Sequence, residues 1–319
     1  MIDVRRHDDA GSWDDLVREN GGHPLQLWGW GEVKAAHGWR VERLQVGKGG
    51  AQILIKRLPK PFGPLVYVAR GPFGDALTDD ASREALVLHV KNTYKPTLMS
   101  VEPDTTGPVD WNGWRQSSNR ILLRRTAVMD LTRSDEDLQA DMSKKTRQYI
   151  RKSGGEGLGV KLAESRADID ECLAIYKATA RRAGFALHDD KYYYDIFEQL
   201  NDDSPVYMAT YQGSAVAFLW PIVTPEVAFE LYGGMNENGQ RLRANYFLKW
   251  SVIQAMKERG VKRYDVNGLL NDGVSAFKQG FIPTETMMSG TFDRPMSPLY
   301  PIWSGLLPTV KRIVQRLRR

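Results

Sequence analysis

The sequence predicts an α/β chain, with helices and strands mixed in each half, folded as two domains of like element order. Three observations predict it. Apolar residues recur at helical spacing in some segments and in short strand-like runs in others. The order helix, strands, helix, strand occurs twice. The length of 319 residues is ordinary for two domains.

In the first half, a short helix is expected over Trp13 to Val17 with Ser12 as its N-cap, broken by Gly21-Gly22. LQLWGWGEVKAAHGW (25–39) reads as a helix, with Trp30, Val33 and His37 at helical spacing. AQILIKRLP (51–59) is a strand ended by Pro59, and PLVYVARGP (64–72) is a second closed by Gly71-Pro72. TDDASREALVLHVKN (78–92) is an amphipathic helix capped by Thr or Asp, followed by the strand TLMSVEPD (97–104).

In the second half, Ser134 caps an acidic first turn and Ser143 caps the basic helix KKTRQYIRK (144–152), which ends at Gly154-Gly155. Residues 166–184 form a helix with Ile169, Leu173, Tyr176 and Ala180 on one face and Gly184 as its C′ residue. KYYYDIFEQL is a further helix. Two strands over 206–223 turn at Gln212-Gly213, and a third covers 227–235. A long helix (244–260), a strand (261–268) and a polar, Gly-rich loop into Phe277-Lys278 complete the half.

This order is that of an acetyltransferase-like (GNAT-like) α/β domain, so two such domains are expected. The first covers 1–133 and is joined by the C-terminal segment 294–319; the second covers 134–293. Such a fold suggests acetyl-CoA, whose pyrophosphate needs a Gly-rich turn from strand to helix. RRAGFA (181–186) has the loose Arg-x-x-Gly-x-Ala pattern, but it ends a helix. The turn in the right place, MNENGQRLRANYF, holds a single glycine, Gly239. The fold alone does not give the ligand.

Composition narrows the rest. One cysteine, Cys172, excludes an internal disulfide and an all-Cys zinc site, and the five His show no HExxH spacing, so neither metal nor cofactor is expected. No run reaches the roughly 18 apolar residues that cross a bilayer, and MIDVRRHDDAG lacks a signal-peptide core. A cytoplasmic monomer is expected. The net charge is +5, with five basic residues in nine both in 144–152 and in KRIVQRLRR (311–319). Such clusters attract phosphates, although solvated helix faces look the same.

LWGWGEVKAAHGW, KKTRQYIRKS and YDVNGLLNDGVSAFKQGF together, in this order, resemble the opening-helix, basic-helix and closing-loop motifs of the Fem-type peptidoglycan aminoacyltransferases (FemA/FemB/FemX). The resemblance implies transfer of an amino acid from aminoacyl-tRNA to an amine on the stem peptide of a peptidoglycan precursor, forming or beginning the interpeptide bridge, without CoA. With no heptad run, the chain resembles the compact kind that lacks a coiled-coil arm. The alternative is an acyl-CoA-dependent N-acetyltransferase.

The resemblance also implies roles for residues. Lys278, beside Phe277, stabilises the oxyanion or holds the tRNA end. Glu102 or Asp104 binds or deprotonates the acceptor amine. Lys34, next to Trp30 in the opening helix, holds precursor phosphates. His188 and Tyr192 stand where compact members carry an Arg and a Tyr that contact the precursor, and loss of the Arg removes a bidentate grip. Tyr232 and Arg243 flank the same cleft by element order. Lys144, Lys145, Arg147 and Arg151 meet the tRNA. The tail, alternating Val310, Ile313, Val314 and Leu317 with basic residues, suits either an anionic membrane surface or packing on the first domain.

Overall fold

The structure, a computed structural model, describes residues 2–270 and 272–306. The chain divides into two compact units. One is built from residues up to Arg124 together with those from Met287 onward, and the other from Arg125–Thr286. The chain thus passes between units at 124/125 and 286/287 rather than at 133/134 and 293/294. Strand pairing is the cause. Val128–Asp130 is the edge strand of the second unit's sheet, and Phe292–Pro295 inserts in the first unit's sheet.

The first unit holds a seven-stranded sheet in the order Val4–Arg6, Arg40–Val46, Gly49–Lys56, Leu65–Val68, Leu98–Val101, Phe292–Pro295, Arg115–Gln116. All neighbours are antiparallel except Leu65–Val68 with Leu98–Val101. That parallel pair is joined through the helix Asp80–Tyr94, as parallel strands require a crossover. Leu86, Val87 and Val90 of this helix pack on Leu44, Ile53, Val66 and Met99 of the sheet. Helical residues 300–306 set Tyr300 and Trp303 against Leu98, with Phe62 edge-on to Trp303 at 5.3 Å. The basic tail at 311–319 lies outside the described residues.

The second unit holds a six-stranded sheet in the order Val128–Asp130, Arg263–Asp265, Val227–Met235, Ser214–Val223, Tyr207–Tyr211, Gly159–Leu162. Again one pair is parallel, Val227–Met235 with Arg263–Asp265, joined by the helix Ala244–Glu258. Its Leu248, Val252, Ile253 and Met256 are buried against Ala228, Tyr264 and Val266. The expected turn at Gln212-Gly213 has both residues at positive φ, 50° and 81°, the geometry of a tight hairpin. No described helix is long and apolar enough to cross a membrane.

Several element ends differ from expectation. The first helix runs Ala10–Glu19, and Asp9 rather than Ser12 caps it. The opening motif is a 3₁₀ turn, Pro24–Gln26, followed by a shorter helix, Trp28–Ala36. Arg40–Val46 (RVERLQV) was not expected to be a strand, because charges interrupt its pattern. The fold neutralises them: buried Glu42 forms an ion pair with Arg6 and accepts from Arg40, and buried Arg43 donates to Glu32 and Gln52. The segment with Phe277 and Lys278 is not a loop but a helix, Gly273–Phe281, capped by Asp272.

The serine caps at Ser134 and Ser143 were legible, each accepting from the N–H three residues on. Ser165, not singled out in the sequence, does the same and forms a capping box with Asp168. Within the basic helix Lys144–Gly154, Arg147 differs from its neighbours. Its guanidinium donates to the carbonyls of Gln139, Ala140 and Met142, at the end of the helix Asp135–Asp141. Lys144, Lys145 and Arg151 are exposed. Arg147→Ala is therefore expected to lower stability by about 1–3 kcal/mol, against less than ~0.5 for Lys144→Ala or Lys145→Ala. Urea unfolding of the three variants checks the difference.

Candidate active site

The parallel strands of the second unit pair only as far as Phe229 opposite Asp265. Beyond that point Val227–Met235 runs on without that partner strand. Open α/β sheets bind ligands in the crevice outside the carboxyl ends of their strands.

Lys278 lies at this carboxyl end, just beyond the strand Arg263–Asp265. Its Nζ donates to the carbonyl of Asn267 at 2.6 Å and that of Gly268 at 3.2 Å. Both residues are left-handed, at φ 51° and 68°, which turns successive carbonyls toward one point. Asn267 reaches that conformation through two anchors. Its N–H donates to Asp265 Oδ1 at 2.8 Å, and its Nδ2 to the Glu230 carbonyl at 2.9 Å. Fully buried Asp265 also accepts from Thr126. The helix under Lys278 is fixed in turn, since Asp272 accepts from both the N–H and the hydroxyl of Ser275, and Ser275 Oγ accepts from Leu270 N–H.

Beneath the ammonium lies a buried ion pair. Lys249 donates to Glu230 Oε1, which also accepts from Tyr264 at 2.8 Å. The Lys249 and Glu230 side chains are 2% and 7% exposed, so neither charge is tolerable without the other. The rings of Phe277 and Phe281 stand 5.4 and 5.6 Å from Lys249 Nζ. Burial lowers the pKa of Lys278, and the Lys249 charge adds to the lowering; Glu230, Asp265 and Asp272 oppose it. An ammonium has three N–H groups. Two meet carbonyls, which leaves one for a ligand atom.

Phe277 packs edge-on to Tyr246 at 5.0 Å, Tyr246 edge-on to Tyr149 at 5.0 Å, and Arg243 lies 4.1 Å over Tyr149. A row of rings thus runs from the Lys278 helix to the basic helix. His188 stacks on Tyr192 at 4.0 Å, and Tyr192 hydrogen-bonds Tyr232. These three expected residues form one aromatic cluster with Tyr176 and Tyr193.

In the first unit, Lys34 Nζ lies 4.2 Å over the Trp30 ring, four residues earlier on the same helix face. Burial lowers the Lys34 pKa to about 8. Glu102 is buried and accepts from Tyr67, from Leu122 N–H at 2.9 Å and from Thr291 Oγ1 at 2.7 Å. Those three donors tie Glu102 to three separate segments of the first unit. Asp104 is half-buried.

Glu230, Lys249, Asp265 and Asn267 escaped the sequence reading. A signal existed: a lysine within ANYFLKWSVIQAM and a glutamate within VAFELY each break an otherwise apolar face. Because the pair is buried, Lys249→Ala is expected to cost about 3–5 kcal/mol. The double variant Lys249→Met with Glu230→Gln removes both charges and is expected to be closer to the parent protein, as measured by denaturant unfolding.

Relatives share this architecture. The chain is 25% identical over 288 residues to a lipid II:glycine glycyltransferase from Staphylococcus aureus (strain MRSA252), covering 81% of this chain and 63% of that one. It therefore spans less than two thirds of the length of that relative. The crystal structure of FemX superposes with a TM-score of 0.84 at 19% identity, over 95% of this chain and all of the other. A tandem GNAT protein from the clavulanic acid biosynthesis pathway superposes with a TM-score of 0.52 at 12% identity, over 93% and 99%. The expected pair of GNAT-like domains is thus the observed fold. The sequence profile of the FemAB family matches residues 105–217 and 211–306, and the chain belongs to that family.

Proposed function

We propose that this protein is an aminoacyltransferase that moves an amino acid from aminoacyl-tRNA to an amine on the stem peptide of a peptidoglycan precursor. The observation that carries the reading is the Lys278 ammonium, set by two backbone carbonyls just beyond the carboxyl ends of the parallel strands. The glycyltransferase likeness supports the same class of reaction.

In this reading the acceptor nitrogen attacks the ester carbonyl carbon. The new C–N bond forms, negative charge builds on the carbonyl oxygen, and the remaining N–H of Lys278 meets it. The C–O bond to the ribose then breaks, and the proton lost by the amine ends on the ribose oxygen. A fixed donor of this kind lowers the barrier by about 3 kcal/mol. Of the two expected carboxylates, Asp104 takes the acceptor amine, since Glu102 is occupied by its three donors. Lys34 and the His188–Tyr192–Tyr232 cluster bind the precursor. Lys144, Lys145 and Arg151, all exposed, bind tRNA phosphates without reading sequence. Contact with a membrane carrying a lipid-linked precursor is supported by Ile302 and Leu306, 54% and 47% exposed on the helical residues 300–306.

The acyl-CoA alternative finds less support at the strand-to-helix turn. There the Gly239 N–H is taken by Asn236 Oδ1 at 2.9 Å, and a Cβ at Gly239 would meet the Val216 carbonyl at 2.2 Å. The turn thus offers no free N–H at Gly239 for a pyrophosphate.

Incubation with mixed aminoacyl-tRNAs and precursor, followed by mass spectrometry, is expected to show a precursor heavier by at least one amino-acid residue. An acetylated product formed from acetyl-CoA would overturn the reading. Lys278→Ala is expected to lower kcat by about 10²–10³-fold while precursor affinity stays within about twofold. Affinity for the anionic precursor is expected to fall as pH rises through about 8, where Lys34 loses its proton. Lys34→Arg, which stays charged, moves that fall to higher pH in a binding titration.

A further inference from the structure

The two stretches that failed separately as a pyrophosphate cradle, RRAG (181–184) and MNENG (235–239), come together in the second unit. The helix Arg166–Ala183 ends against the turn that follows Val227–Met235. Thr179 Oγ1 and Arg182 Nη2 both lie 3.4 Å from the Met235 carbonyl. Between them is a cavity of about 620 Å³ lined by Ala178, Arg181, Arg182, Asn236, Glu237 and Asn238. That volume is within the usual range for ligand sites.

The lining carries two cations against one anion. Arg182 is held in place by Met235 and faces the Gln240 amide. Arg181 is exposed and makes no hydrogen bond or ion pair among the described residues. Most other arginines of this unit are engaged: Arg125 with Glu285, Arg133 with Asp141, Arg147 with three carbonyls and Arg243 over Tyr149. A guanidinium that lines a cavity without a protein partner for its donors suits a phosphate, which it grips in bidentate fashion.

We propose that this cavity binds a backbone phosphate of the single-stranded 3′ end of the tRNA, with Arg181 as its main contact. The proposal rests on the chain using aminoacyl-tRNA. Position favours it. The cavity lies at the end of the same strand whose Glu230 carbonyl anchors Asn267 beneath Lys278. From Glu230 to Met235 is roughly 16 Å at about 3.3 Å per residue. One strand therefore leads from the reacting ester to a phosphate grip a few nucleotides back along the chain. The tight packing around Gly239 is no obstacle, because the cavity lies on the side of Asn236–Asn238 that faces Arg181.

The test is a titration of a short RNA hairpin with an unpaired ACCA 3′ end, over a series of salt concentrations. For Arg181→Ala the expected result is about tenfold weaker binding, with the salt slope reduced by about 1, one phosphate contact. Arg181→Lys restores part of the affinity, as a point charge in place of a fork. The precursor dissociation constant stays unchanged, and so does the unfolding midpoint, because Arg181 is exposed and unpaired. Equal RNA binding by the parent protein and Arg181→Ala would overturn the proposal. So would a loss that fell on the precursor, since the phosphate would then be that of its diphosphate. If the parent protein makes product from aminoacyl-tRNA and the variant matches it at limiting tRNA, only the cavity assignment fails. If the parent protein uses no aminoacyl-tRNA, the functional reading fails with it.

Discussion

The second unit is organised around one ammonium resting on two carbonyls. For Lys278 to meet Asn267 and Gly268, two successive residues must adopt positive φ. Asparagine and glycine bear that conformation at least cost. The remaining parts follow from it. Asp265 holds the Asn267 N–H and the Glu230 carbonyl holds its side chain. Glu230 must be charged to balance Lys249. Each of these groups is thus held in place by the next, and such a network polarises and stiffens itself.

This network explains how a cation is kept ready at a partly dry site. Burial lowers the pKa of Lys278. Three carboxylates, Glu230, Asp265 and Asp272, oppose that pull, while Lys249 adds to it. In the proposed reaction the ammonium would be preorganised for the charge on the carbonyl oxygen. Lys34 in the first unit is a different case. It has a tryptophan face rather than carbonyls under its charge, and burial brings it to about 8. That suits a group that an anionic ligand would recharge on binding.

Basic residues in this chain do three kinds of work that composition cannot separate. Arg147 closes a helix end, Lys249 neutralises a buried carboxylate, and Arg181 has no partner among the described residues. All three contribute equally to the net charge of +5. The charge of a cluster is therefore a poor guide to a nucleic-acid surface until the internal hydrogen bonds have been assigned.

By itself the sequence determined what depends on neighbours along the chain. The helix caps at Ser134 and Ser143, the left-handed end at Gly184, the turn at Gln212-Gly213 and the doubled order of elements were all legible, because caps, turns and periodicity act over a few residues. The Phe277-Lys278 pair was legible as a motif, and Lys34 with Trp30 as one helix face. Tertiary structure decided the rest. The strand Arg40–Val46 was hidden by Glu42 and Arg43, charges that are acceptable only once Arg6, Glu32 and Gln52 meet them. Glu102 is tied down by donors from Tyr67, Leu122 and Thr291, which its place in the sequence does not reveal. The loop expected around Lys278 became a helix on a carbonyl turn, fixed by partners up to 37 residues away. Long-range pairing determines whether a charge is structural or available, and spacing along a chain carries no record of it.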